Sequence, residues 1–241
     1  MSKAWTDWQA AYVWLCSRRR HAPPNADVWH LRHHWPNRGT ALLRSVLAGD
    51  YRLSAMQLHR RGHTRWVQWS AQDALVLKWV ALQVAERLPR HACCAHLKGH
   101  GGGRVSVALA WQALCSGAYA FVYRTDIRGY YRHIRKGQVL ALVERHVADP
   151  ICVDLIAQYL HYSVEDGGEF HTPEHGICRG CALSPLIGAG IAPRALENHR
   201  QRRARLYELG RARGLSPAAA EARVRTYEAR WNSWAQGILP L

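Results

Sequence analysis

The stretch from Gly176 to Gly188, Gly-Ile-Cys-Arg-Gly-Cys-Ala-Leu-Ser-Pro-Leu-Ile-Gly, constrains the fold more than any other. Glycines at 176 and 180 permit backbone conformations and close approaches that a Cβ forbids. Ser184-Pro185 then opens a helix, because proline is pre-organised for a first helical turn and serine caps the free N–H groups. The spacing predicts a helix from about Ser184 to Ala192, so a glycine turn feeds directly into a capped helix. Upstream, the run from Tyr119 to Asp126 is apolar, rich in β-formers and ends on an acid, which reads as a buried strand.

The remaining elements follow from periodicity and punctuation. Trp5, Trp8, Tyr12 and Leu15 recur at helical spacing and predict an amphipathic helix ending in Arg18, Arg19 and Arg20. His21 to Asp27 is a breaker, and a short helix is expected from about Thr40 to Leu47, stopped by Gly49-Asp50. Residues 51–69 predict two short strands around a basic loop, His59-Arg60-Arg61-Gly62-His63. Ser70 caps a helix to about Leu88. A loop rich in His, Cys and Gly precedes a helix from about Val105 to Ser116, stopped by Gly117. Helices at 136–147 and 150–162, a hairpin turning at Gly167-Gly168, and an Arg-rich helical hairpin over 194–236, broken at Gly214 to Pro217, complete the chain.

The run Tyr123-Arg124-Thr125-Asp126-Ile127-Arg128-Gly129-Tyr130-Tyr131 resembles the first catalytic motif of reverse transcriptases of the group II intron and mobile-element type. In that family a strand of the palm ends in an Asp that binds catalytic magnesium. The resemblance therefore implies that Asp126 is catalytic and a ligand of Mg2+, a hard ion that favours carboxylate oxygen. Tyr131 falls where the family places an aromatic that excludes a ribose 2′-hydroxyl. The Gly176–Gly188 stretch is similar to the later palm motif, in which a glycine-rich turn feeds a helix that lines the template and nucleotide site. This implies nucleotide contacts at Arg179 and Gly180, with Arg179 standing where the family usually has Gln. Residues 65–77 resemble the fingers strand and following helix, and place Arg65 at a triphosphate-contacting position. The resemblance spans about residues 40–192.

It implies an α+β fold, mostly helical, with fingers and a partial palm carried on a short antiparallel sheet. The implied division is 1–118 for the N-terminal and fingers-like region, 119–192 for the partial palm, and 193–241 for a basic helical tail. What is missing matters as much. Phosphoryl transfer by two ions about 3.5–4 Å apart needs carboxylates from two palm elements. The family supplies the second set from a Tyr-x-Asp-Asp hairpin, yet residues 191–241 contain no Asp and no Asp-Asp pair occurs anywhere. The expectation is an internally shortened relative that binds RNA or DNA, is inactive alone as an RNA-directed DNA polymerase, and needs another chain to supply the missing palm.

Charge points to the same partners. The chain carries 33 Lys and Arg against 17 Asp and Glu, a net +16, and only four of the basic residues are Lys. Arginine's planar fork grips phosphate in pairs of hydrogen bonds and stacks on bases. A polyanion partner follows, nucleic acid before membrane. Arg60 and Arg61 in the basic loop, Arg104 after the glycine run, and Arg200 and Arg203 in the tail are the candidate backbone contacts. No apolar run approaches the roughly 20 residues that span a bilayer, and the N-terminal stretch lacks a signal-peptide pattern. Seven scattered cysteines fit reduced thiols in a cytoplasm better than a disulfide framework.

Two other readings compete with a nucleic-acid-binding remnant. His171, His175, Cys178 and Cys181 have spacing that a tetrahedral zinc site tolerates, as do Cys93, Cys94, His96 and His100. Gly99 to Arg104 could open a helix onto a phosphate, but it lacks the Gly-Lys-Ser/Thr ending of a nucleotide-binding loop.

Overall fold

The computed structural model describes residues 3–90, 94–97, 99–118 and 129–234, with backbone alone described at 61, 192–200, 202 and 227–234. The chain forms two compact units interleaved in sequence: Met1–Pro89 with Ile134–Ile187, and Arg90–His133 with Gly188–Leu241.

The first unit is built on α1 (Lys3–Arg18), α2 (Asp27–Leu47) and α3 (Ala71–Val84). Tryptophans lock the three together. Trp8 is fully buried, meets Trp79 edge-on at 6.3 Å, and donates its indole N–H to the Gly39 carbonyl at 3.0 Å. Tyr12 stacks flat on Trp35 at 3.8 Å. Helix α3 is the centre of this core, with Leu75, Val76, Leu77, Trp79, Val80 and Val84 all buried. Its start is secured as expected, by Ser70 Oγ accepting the Asp73 N–H. Asp27 adds a second cap by accepting the Ala71 N–H at 2.5 Å.

Helix α2 starts at Asp27 rather than near Thr40 and carries Pro36 inside it. A proline in a helix interior forfeits one hydrogen bond and costs roughly 3 kcal/mol. Burial of Val28 and Leu31 on the turns before it offsets that penalty. Helix α3 stops at Val84, short of Leu88, with Arg87 and Leu88 folding back onto the Val84 carbonyl.

The sheet joins β1 (Met56–Arg61), β2 (Thr64–Gln68), β3 (Val164–Asp166) and β4 (Glu169–His171) in the order β2-β1-β3-β4. The hairpins β1–β2 and β3–β4 are antiparallel as expected, but β1 and β3 pair in parallel, Met56 with Val164 and Gln57 with Glu165. The sheet is therefore mixed rather than antiparallel. The long connection between β1 and β3 makes this possible, because parallel neighbours need a crossover that a tight turn cannot supply. His59, Arg60 and Arg61 are strand residues, and the turn contracts to Gly62-His63, with Gly62 at φ +55°.

In the second unit, α4 (Gly102–Cys115) is followed by the single turn α5 (Tyr130–His133). Gly117 lies at φ +66°, the left-handed helix stop read from sequence. No side chain of α4 is buried, and Val107 and Trp111 stand exposed. Back in the first unit, α6 (Lys136–His146) and α7 (Pro150–Leu160) fall where predicted, with Asp149 capping Ile151. Helix α8 (Ser184–Ala212) and α9 (Pro217–Trp234) complete the chain.

Helix α8 continues through Pro193 instead of ending near Ala192. Pro193 has no N–H to give the Ala189 carbonyl, and the Cys94 thiol sits 3.9 Å from that oxygen. Beyond it, Gly210 packs against Ala220 and Arg203 pairs with Glu221 at 2.6 Å, forming the expected hairpin around Gly214. No helix among the described residues is long and apolar enough to cross a membrane.

Candidate nucleic-acid interface

The first unit carries a cavity of about 360 Å³ whose walls include Trp14, Arg19, Trp66, Trp69, Arg179 and Gly180. Strand β2 supplies Trp66, and the residues just after it place Trp69 beneath. Trp66 is 41% exposed and stacks on His59 at 5.5 Å, whereas Trp69 is buried. Its indole N–H reaches the Cys178 sulfur at 3.1 Å.

The turn read from sequence supplies Arg179, Gly180 and Cys181 to the same cavity. Gly180 sits at φ +82°, a conformation that favours glycine, and Arg179 and Gly180 face solvent while Ile177, Cys178 and Leu183 are buried. The turn is anchored from below at the Cys178 carbonyl. That oxygen accepts both the Ser184 hydroxyl at 2.6 Å and the Tyr159 hydroxyl at 3.2 Å. Burial, first of all, pushes the Tyr159 hydroxyl well above its ordinary range, so it stays a neutral donor.

Arg19 enters the same cavity from the end of α1. It donates to the Trp69 carbonyl at 2.6 Å and pairs with Asp27 at 3.1 Å, so most of its fork is already used. Burial lowers its pKa and Asp27 opposes that shift. The cation left to meet a ligand is Arg179. Aromatic faces beside an exposed guanidinium suit a base and a phosphate together.

On the other face of the β1–β2 ribbon, Arg60 lies directly opposite Arg65. Like charges across a ladder repel. Arg60 is relieved by Asp166 of β3 at 2.5 Å, while Arg65 is exposed and has no ion pair among the described residues. A polyanion laid on this ribbon would offset the repulsion.

Of the residues singled out from sequence, Arg179 and Gly180 therefore line the cavity, and Arg60 and Arg65 sit on the adjoining ribbon. Arg61 has its backbone in β1, opposite Thr64. Tyr131 and Arg104 belong to the second unit, where Tyr131 packs against Gly188 and Arg104 is exposed on α4. Arg203 is paired with Glu221, and Arg200 contributes its backbone to α8. Asp126 lies outside the described residues, as does the rest of 119–128.

Among the described residues no three of His, Cys, Asp and Glu gather closely enough to hold a metal ion. The zinc spacing around Cys178 therefore has no assembled ligand set among them, while Cys93 of the second zinc spacing lies, like Asp126, outside the described residues. Sequence reading missed Arg19 and Trp14 as cavity walls. The signal was present in the Arg18–Arg20 cluster, but nothing local says that the end of α1 meets the residue after β2.

No protein-family model matches this chain, and no curated protein matches it. Its fold is similar to chains in two solved assemblies, a partial Cas6-RT-Cas1–Cas2 complex and a Cas6-RT-Cas1–Cas2 complex. Each match has a TM-score of 0.51 at 16% identity and covers 79% of this chain. The chain corresponds to 34% of the first protein and 21% of the second, so it spans about a third or less of either. The likeness is one of fold, a mixed α+β arrangement shared with part of those longer chains.

Proposed function

We propose that this chain is a reverse-transcriptase-like protein that binds RNA or DNA and does not by itself carry out template-directed synthesis. The observation that carries this reading is the cavity between β2 and the Gly176–Leu183 turn. Three tryptophans, Trp14, Trp66 and Trp69, and exposed Arg179 line it together, beside a ribbon bearing Arg60 and Arg65. In this reading the ribbon is fingers-like, 119–192 is a partial palm, and 193–241 is a basic tail. Arg65 and Arg179 contact phosphate, and Trp66 offers its exposed face to a base. Asp126 is the one carboxylate retained for magnesium, Tyr131 is the ribose-side aromatic, and a second chain supplies the rest of the palm. Exposed Val107 and Trp111 on α4 are consistent with a further protein surface covering them.

Binding is expected to tolerate sequence and to weaken by roughly 10³-fold or more between about 50 and 200 mM salt. Fluorescence anisotropy with labelled RNA, DNA and hybrid duplexes measures this, and salt-independent binding or none at low salt would sink the reading. Primer extension on an RNA template with Mg2+ or Mn2+ tests the chemistry, beside an Asp126→Ala control. No product is expected. Extension that disappears in the control would overturn the claim of inactivity and establish Asp126 as the site.

A further inference from the structure

We propose that Cys178 and Cys181 are a redox-active dithiol that closes reversibly into a disulfide in the wall of the cavity. The inference does not depend on what the cavity binds. The two cysteines flank Arg179-Gly180 across a bend, with Gly180 at φ +82°. A disulfide needs end Cα atoms about 4.4–6.8 Å apart, a spacing that a four-residue turn with a left-handed glycine at its third position permits.

Their surroundings divide the roles. Cys178 is 3% exposed and Cys181 8%, and the two side chains hydrogen-bond to each other. The Trp69 indole N–H also points at the Cys178 sulfur, 3.1 Å away. Two donors converging on one sulfur favour its thiolate, and no carboxylate opposes them. The Cys181 hydrogen bond, more than any other cause, holds the Cys178 thiol below its ordinary range. Burial pushes Cys181 the opposite way, so it keeps its proton and donates it. The pair thus holds a nucleophile beside a resolving thiol. Cys181 lines the cavity, and so does Trp69, whose indole touches the Cys178 sulfur, so a small oxidant entering there comes next to the pair. Cys152 is also buried but its thiol is pushed up to about 12, chiefly by burial, which makes it an inert reference.

With a hydroperoxide as oxidant the chemistry balances. The Cys178 thiolate attacks the peroxide oxygen, the O–O bond breaks, and Cys178 becomes a sulfenic acid as the leaving oxygen takes a proton to form an alcohol or water. The Cys181 sulfur then attacks the Cys178 sulfur, the S–S bond forms, the S–O bond breaks, and hydroxide leaves with the Cys181 proton as water. Two thiols and one hydroperoxide give one disulfide, one alcohol (or water) and one water.

The test treats the intact protein with hydrogen peroxide, blocks remaining thiols with N-ethylmaleimide, and maps peptides by mass spectrometry. Trypsin cuts after Arg179, so the expected product is a pair of peptides joined through Cys178 and Cys181 that dithiothreitol separates. Cys181→Ser should stop at a Cys178 sulfenic acid that dimedone traps, and Cys178→Ser should leave Cys181 unreacted. Trp69→Phe should slow Cys178 oxidation a few-fold, because losing the indole N–H donor lowers the thiolate fraction while the more basic thiolate left is the better nucleophile. Unlabelled Cys152 in each variant reports that the fold is intact. Recovery of Cys178 and Cys181 as unoxidised thiols, alkylated or not, after peroxide has oxidised exposed Cys115 would overturn the proposal. So would one tightly held zinc ion per reduced chain that blocks the reaction.

Discussion

Replacing Asp73 by Ala should destabilise the first unit by about 2–4 kcal/mol, and the structure shows where that figure comes from. Asp73 lies in the first turn of α3, is 1% exposed, and is surrounded by donors. It accepts the Tyr51 hydroxyl at 2.8 Å, the Ser70 hydroxyl at 2.6 Å, and the Ser54 hydroxyl. Hydrogen bonds to a charged group contribute about 1.5–3 kcal/mol each. Tyr51 and Ser70 are half-buried and would be left with poor access to water, while exposed Ser54 can turn to solvent. Two bonds therefore dominate the loss. Part of it is returned because the native state no longer buries a carboxylate. Asp73→Asn keeps one acceptor oxygen and should cost about half as much. Tyr51→Phe removes a single donor and should cost about 1 kcal/mol, and combined with Asp73→Ala it should fall short of the sum by a similar amount. Urea unfolding followed by tryptophan fluorescence measures each value. An Asp73→Ala cost below about 1 kcal/mol would refute the view that this carboxylate ties the 51–54 segment to α3.

Three further outcomes are expected. Burial raises the hydroxyl pKa of Tyr51, with Asp73 adding to it, and burial also raises Tyr130 and Tyr159. The native protein then holds protons that the unfolded chain has lost, so this contribution is complete below pH 10.0, the ordinary tyrosine value, and declines above it. Melting temperatures by circular dichroism between about pH 8 and 12 should fall beyond that point, and a flat profile would contradict it. Gly180→Ala meets no atom within 4 Å but must adopt φ +82°, so it should cost about 1–2 kcal/mol, whereas Gly137→Ala in α6 should stabilise by about 0.5–1 kcal/mol. Thermal melts that shift both variants the same way would undo that argument. Arg65→Ala should lower nucleic-acid affinity and the salt slope more than Arg60→Ala, because Arg60 is shared with Asp166. Equal effects would show that the ion pair does not compete.

Local signals set the helix and strand identities. Ser70 before an apolar run, Asp149-Pro150, Gly167-Gly168 and Gly214 each act through the backbone within a few residues, so their elements appear where sequence places them. The Gly176–Leu183 turn was legible for the same reason, since a left-handed glycine and a Ser-Pro helix start are properties of the local chain. Signals that compete with distant packing were misread. The helix expected from about Thr40 starts at Asp27 and runs through Pro36, with Val28 and Leu31 buried before it. The helix expected to end near Ala192 runs through Pro193, and the Ala189 carbonyl that this proline leaves free lies near the Cys94 thiol.

The site divides along the same line. The residue types around the turn and the ribbon, and the absence of an Asp-Asp pair, belong to the sequence by itself. That Arg60 finds Asp166, that Arg19 is used up by Trp69 and Asp27, and that Trp69 touches Cys178 are decided by tertiary structure. Each joins residues far apart in the chain, and only the parallel pairing of β1 with β3 and the packing of α1, α3 and α7 set those distances. Loop closure over such separations depends on the whole core, and no short pattern of residues encodes it.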